Sequence, residues 1–143
     1  MMIFEDLIPY DTAHIILGDY LKYHYQYKRI TKRAKIRFEK RDWHGMQEDS
    51  RERVSLYRDC VGATTERVLN FLGGQALNAD TWRDIKIMFL EEITNFNSRN
   101  IAETYFNSVF RHSHKGLSVD EESMFVHATA TYREFKSTQP IYH

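Results

Sequence analysis

Between Lys28 and Arg41 the chain reads Lys28-Arg29-Ile30-Thr31-Lys32-Arg33-Ala34-Lys35-Ile36-Arg37-Phe38-Glu39-Lys40-Arg41, eight cations against one acid. Lysine plus arginine equals aspartate plus glutamate at 20 each over the whole sequence, so the remainder carries a compensating excess of seven acids. Such a separation of charge can steer an anionic partner, either a phosphate backbone or an acidic protein surface. It is also what a solvated helix face looks like when cations gather toward the negative end of the helix dipole. The preceding Tyr20, Tyr23 and Tyr27 stand at heptad spacing, which points to a core rather than to a platform for stacking bases.

Other reactive side chains are few. Cys60 is the single cysteine, which excludes a disulfide scaffold and a cysteine-based zinc site and fits a reducing compartment. It falls within a helical pattern with no lysine or arginine beside it, the setting of an inert small hydrophobe. His112 and His114, two apart, point away from each other on a helix and have no third ligand nearby, so no metal site is expected. His44 beside Trp43 reads as a residue of a turn rather than a general base. The phosphate-loop, dinucleotide, kinase, serine-hydrolase and zinc-protease signatures are all absent from the 143 residues. No catalytic residue is assigned, and a helical binding or regulatory domain is the reading left.

The elements that must position these residues are helices. Glycine numbers only 6 and proline 2, which disfavours sandwiches and barrels and favours long uninterrupted helices. A first helix is expected after Pro9, capped by Asp11, with Ile16, Tyr20, Tyr23, Tyr27, Ile30 and Ala34 inward, Phe38 extending that face, and an end at Arg41. Asp42-Trp43-His44-Gly45 is the turn, with Asp42 able to cap a second helix. The inward face of that helix would be Val54, Tyr57, Val61, Thr65, Val68 and Leu72, and Gly73-Gly74 ends it. A third helix near Asp80 or Thr81 uses Trp82, Ile85, Phe89 and Ile93. A fourth starts at Asn100, where Asn100 and Glu103 have capping-box spacing, and buries Ile101, Tyr105 and Val109 with Phe106 and Phe110 beside them. After Lys115-Gly116, a polar Ser118 to Glu122 leads into strand-like Met124 to Thr129 and Thr131 to Phe135.

The fold class expected is therefore mainly α, an antiparallel long-helix bundle over residues 1–117. A short strand-like tail over 118–143 would act as a linker and the beginning of a missing domain. Hydrophobic residues make up 42% of the chain and aromatics 14%, so the core should be built of rings as much as of aliphatics. No apolar run approaches the roughly 18 residues of a membrane span. The N-terminus lacks the form of a signal peptide. A soluble, cytoplasmic protein without a membrane partner is expected.

Two blocks carry a resemblance. Arg37-Phe38-Glu39-Lys40-Arg41-Asp42-Trp43-His44-Gly45 and Ile101-Ala102-Glu103-Thr104-Tyr105-Phe106-Asn107-Ser108-Val109, with Arg53-Val54-Ser55-Leu56-Tyr57 between them, resemble the N-terminal region of bacterial isocitrate dehydrogenase kinase/phosphatases. The resemblance runs from about Ile15 to the end. It implies a helical regulatory domain followed by a kinase-like catalytic domain that lies downstream and is not part of this sequence. It also implies reversible phosphorylation of a serine on isocitrate dehydrogenase, which sets flux between the tricarboxylic acid cycle and the glyoxylate bypass. ATP or ADP with Mg2+ or Mn2+ would serve the full-length enzyme, and AMP would act as effector from a pocket between the domains. None of these cofactors is expected in this fragment, whose partners would be its own kinase-like domain and, through the full-length enzyme, isocitrate dehydrogenase. For this chain's half of the pocket the candidates are Tyr105 to stack on adenine, Asn107 and Ser108 to hydrogen-bond, and Arg111 to hold a phosphate. The competing assignment makes Tyr105 core and leaves Asn107 and Ser108 satisfying local backbone. A stand-alone module using residues 28–41 to bind nucleic acid or an acidic protein is the alternative function, with nucleic acid the less favoured partner.

Overall fold

The computed structural model describes residues 4–94, 96–118 and 120. It contains four helices: α1 (Phe4–Glu39), α2 (Trp43–Leu72), α3 (Ala79–Glu91) and α4 (Phe96–Ser113). The mainly α class is as expected, and no strand occurs among the described residues. The strand-like readings at Met124 to Phe135 lie outside them. α1 and α2 form a long antiparallel hairpin, with α3 packed on α1 and α4 packed on α2.

α1 runs for 36 residues and passes through Pro9, so it starts earlier than the sequence pattern suggests and Asp11 lies inside the helix rather than capping it. Proline already has a helical φ, and so near the start of a helix it removes little more than the bond to the carbonyl four residues back. Continuing the helix past Pro9 buries Thr12, Ala13 and Ile16, and the Thr12 hydroxyl donates to the Ile8 carbonyl at 2.6 Å. At the other end α1 stops at Glu39 and not at Arg41. Arg41 takes a left-handed φ of 57°, and the Asp42 N–H donates to the Arg37 carbonyl at 2.8 Å.

Asp42 caps α2 as expected, its carboxylate accepting the Gly45 N–H at 3.0 Å. Gly73, at φ 58°, closes α2 by donating its N–H to the Leu69 carbonyl. Asn78 caps α3 by accepting the Thr81 N–H at 2.8 Å. The start expected for α4 is displaced. The helix begins at Phe96, the Asn100 carbonyl accepts the Thr104 hydroxyl within it, and Glu103 is 2% exposed on the inner side rather than folded back over a helix end. A four-residue capping signature recurs by chance inside helices, and here the burial of Ala102, Tyr105 and Phe106 overrides it.

The core is one aromatic cluster. Ile16, Tyr20 and Tyr23 of α1 meet Val61, Val68 and Leu72 of α2, Trp82, Ile85 and Phe89 of α3, and Tyr105, Phe106, Val109 and Phe110 of α4. Rings meet edge to face, with centroids 5.6 Å apart for Tyr20 and Phe89, 5.5 Å for Tyr20 and Tyr105, and 5.3 Å for Trp82 and Phe110. Each such pair stabilises the fold by about 0.5–1.5 kcal/mol beyond its buried area. The continuous core ends at Tyr27 and Leu56. Past that point α1 and α2 project as an arm, so Phe38 and Val54, expected inward, are exposed.

Candidate functional site

At about 100° per residue, Thr104, Asn107, Ser108 and Arg111 share one side of α4, and Tyr105 lies on another. The structure brings Asn107, Ser108 and Arg111 onto this polar side and separates Tyr105 from them. Tyr105 is 0% exposed, ringed by Tyr20, Tyr23 and Tyr57. A base could reach its ring only after the helices part, so the stacking role is closed to it in this fold. Its hydroxyl lies 2.7 Å from Thr64 Oγ1. Thr64 also lies within donating distance of Asp19 Oδ2 at 2.9 Å and of the Cys60 carbonyl at 2.9 Å. Asp19 in turn pairs with Arg67 at 3.4 Å. If Thr64 gives its one proton to Asp19, its lone pair accepts from Tyr105, and a polar thread crosses the ring core fully satisfied.

Ser108 pairs through its hydroxyl with Tyr57, whose hydroxyl also donates to the Thr104 carbonyl at 3.2 Å. Asn107 Oδ1 is enclosed and has no hydrogen-bond partner among the described residues. Arg111 is exposed one turn further along. On the other side of Tyr57, residues Tyr27, Ser50, Arg53 and Val54 complete an open groove of about 360 Å³, with the Arg53 guanidinium 5.9 Å from the centre of the Tyr27 ring. No sequence signal pointed to Tyr57 and Arg53 as parts of a surface, because a residue where helices meet looks the same in sequence as one that is buried.

The basic arm is divided between structure and surface. Asp49, wholly enclosed, accepts Arg33 Nε at 2.7 Å and Arg37 Nη1 at 2.9 Å. Arg37 also donates to the Gly45 carbonyl at 2.8 Å, and Arg33 pairs with Glu52. Two of the eight cations thus clamp α1 to α2, and Lys28, Arg29, Lys32, Lys35, Lys40 and Arg41 remain exposed. Phe38 and Trp43 stack edge to face across the tip at 5.8 Å.

Burial favours the neutral forms of Tyr20, Tyr23, Tyr105, Cys60 and His24. Burial pushes the Tyr20 phenol up to about 12. It moves Tyr23 and Tyr105 further the same way, with Tyr27 and Tyr57 adding to the effect at Tyr23. Burial, then Asp19 and Asp59, raises the Cys60 thiol, and burial, then Lys28, lowers His24. A thiolate or phenolate nucleophile needs the opposite tuning, toward ionisation near neutral pH. His114 Nδ1–H donates to the Phe110 carbonyl at 2.7 Å and the imidazole stacks on the Phe110 ring, while His112 is exposed. No group of His, Cys, Asp and Glu able to hold a metal ion occurs among the described residues. No described helix is long and apolar enough to cross a membrane.

A rigid ring core, a polar seam at α4 and a charged projecting arm define an all-α scaffold of the binding or regulatory kind. Sequence comparison gives the family. Residues 13–143 match the regulatory domain of isocitrate dehydrogenase kinase/phosphatase (AceK), and the chain belongs to that family. Isocitrate dehydrogenase kinase/phosphatase of Cupriavidus metallidurans is 33% identical over 103 residues, covering 72% of this chain and 17% of the relative. That of an Anaeromyxobacter species is 36% identical over 116 residues, 81% of this chain and 20% of the relative. The Azoarcus protein is 28% identical over 130 residues, 91% of this chain and 22% of the relative. The chain spans about a fifth of the length of these curated relatives.

Proposed function

We propose that this chain supplies the opening helices of the regulatory domain of an isocitrate dehydrogenase kinase/phosphatase and works as a non-catalytic allosteric support. The observation that carries the reading is the regulatory-domain match over residues 13–143. The tuning of the core tyrosines and Cys60 away from ionisation supports the non-catalytic part. Residues 1–117 form the helical unit and 118–143 the segment leading out of it. Because the match continues to residue 143, that segment fits better within the regulatory domain than at the opening of a catalytic one.

In this reading a kinase-like domain elsewhere in the protein phosphorylates and dephosphorylates a serine of isocitrate dehydrogenase, using ATP or ADP with Mg2+ or Mn2+. It acts in the cytoplasm and sets flux between the tricarboxylic acid cycle and the glyoxylate bypass. AMP acts as effector by binding one relative orientation of the domains better than the other. This chain's contribution to the AMP site is the polar side of α4. Arg111 holds the phosphate, Ser108 and Asn107 hydrogen-bond, and Tyr105 supports the helix from behind.

The test is thermal stabilisation by AMP of the polypeptide as its own cell produces it, alongside its Arg111→Ala variant. The reading expects stabilisation of the first and a much smaller shift for the second. Equal shifts in both would discard the α4 assignment, and no shift in either would discard the AMP reading.

A further inference from the structure

The outward side of α1 is a single straight stripe, Tyr10, His14, Gly18, Leu21, Tyr25, Lys28, Lys32 and Ile36, successive residues three or four apart and all exposed. Its two halves differ. Toward the N-terminus Tyr10 is 54% exposed, Leu21 52% and Tyr25 65%, large apolar surface for one helix to leave in water. There a cavity of about 220 Å³ opens among Tyr10, His14, Leu17 and Met88, rimmed by Glu91 and Glu92 at the C-terminal end of α3. Toward the C-terminus the stripe carries Lys28 and Lys32, with Lys35 on its flank beside Ile36, itself 50% exposed.

An apolar half with an acidic rim and a basic half with aliphatic stems, on one rod, are complementary to each other. They cannot meet within one molecule, because a straight helix holds Tyr10 and Ile36 about 39 Å apart at 1.5 Å per residue. We propose that the outward side of α1 is a self-association surface, where a second copy of this chain docks antiparallel about a two-fold axis beside Tyr23. An isologous contact requires each pair of residues to occur twice, and the register satisfies that condition. Leu21 faces Tyr25 of the second copy on both sides of the axis, and Gly18 lies opposite Lys28, where a residue without a side chain gives room for the long stem. Tyr10 meets Ile36. Lys32 comes over His14, and Lys35 lies on the flank of the seam that carries Glu91 and Glu92. Each basic half thus ends on an acidic rim, and the lysines of the two copies lie at opposite ends. The proposal uses no feature of the AMP reading and stands or falls separately from it.

Sedimentation equilibrium of the 143-residue chain is the test, with helicity followed by circular dichroism. The expected result is a reversible monomer–dimer equilibrium that weakens as salt rises, because several of the contacts are ion pairs at the surface. Leu21→Glu, at an exposed position, should leave helicity unchanged and weaken dimerisation by at least about tenfold. Lys35→Glu should also weaken it, and adding Glu91→Lys and Glu92→Lys to that variant should restore much of the loss. A chain that stays monomeric at hundreds of micromolar overturns the proposal. So does a dimer indifferent to Leu21→Glu, or a charge swap that fails to restore association; a larger, open-ended assembly would rule out the two-fold arrangement.

Discussion

Replacing Asp49 with alanine tests what holds the projecting arm together. Beyond Tyr27 and Leu56 the apolar core has ended, and in α1 only Ile30 and Ala34 are still buried. On the facing stretch of α2 the buried residues are Gly45 and Asp49, neither of which brings apolar side-chain area. The clamp therefore has to do what burial does elsewhere. The bond from Arg37 to the enclosed carboxylate is charge-assisted, and such bonds contribute about 1.5–3 kcal/mol. Several effects reduce the net loss. Arg37 keeps the Gly45 carbonyl, its guanidinium is 29% exposed and can be re-solvated, and the cost of burying the Asp49 carboxylate disappears with it. Arg33, its side chain 43% exposed, keeps Glu52, so its release adds little. The expected destabilisation is about 2 kcal/mol, below the roughly 3–5 kcal/mol of breaking a fully enclosed ion pair because both arginines reach solvent. Native-state hydrogen exchange reads it directly, since the amides of residues 30–52 should exchange faster by that free energy while those of α3 and α4 hardly change. A change in the arm below about 0.5 kcal/mol would refute the reasoning, because the arm would then be held by helix propensity alone. An equal loss across all four helices would refute it differently, by showing that arm and core open as one unit.

Two further outcomes follow from the core. Tyr105→Phe should cost only about 1 kcal/mol in urea denaturation, since Thr64 keeps Asp19 and the Cys60 carbonyl as acceptors, and it should leave any AMP response intact. Loss of the AMP response with unchanged stability would return Tyr105 to the ligand site. The tyrosine phenols, raised in the fold, should make the protein sensitive to alkali. Tyr20 ionises near 12 when folded but near 10 when unfolded. Its contribution to stability is therefore complete below pH about 10 and is lost as the pH rises toward 12. Unfolding and tyrosinate absorbance should rise together over that window. Full ionisation of all nine tyrosines near pH 10 with helicity intact would contradict the burial assigned to Tyr20, Tyr23 and Tyr105.

The sequence made the inner stripes legible because a 3.6-residue period survives any detail of packing: Ile16, Tyr20, Tyr23, Ile30 and Ala34 are buried as their spacing implies. The caps at Asp42 and Gly73 were legible for a local reason, since each acts on amides or carbonyls within four residues. Pro9 and the Asn100–Glu103 pair misled for the same reason in reverse. Their signals are local, but the extent of α1 and α4 is decided by burial against helices far away in sequence. Val54 and Phe38 fit the periodic pattern and are exposed because nothing of α3 or α4 reaches that part of the hairpin. At the candidate site, Ser108 and Arg111 could be placed on a common side from spacing alone. Tyr57 could not be placed beside them, because contact across 51 residues leaves no trace in either segment.

Tyr57 is where these separate readings join. Its ring packs against Tyr23 and Tyr105 at 5.8 and 6.2 Å, which ties it to the core. Its hydroxyl binds Ser108 and the Thr104 carbonyl, which ties α2 to the polar side of α4. One turn earlier on α2, Arg53 and Ser50 line the groove at the root of the arm. A ligand that takes the Ser108 hydroxyl removes one of the two bonds that fix Tyr57, at the residue where the apolar core gives way to the arm. The core is interlocked through rings, whereas the arm has the Asp49 clamp in place of a continuous apolar core and is expected to open at lower free energy. Under the proposed regulatory reading, strain imposed at α4 would be relieved in the orientation of the arm, the part that carries exposed positive charge at Lys28, Arg29, Lys32, Lys35, Lys40 and Arg41.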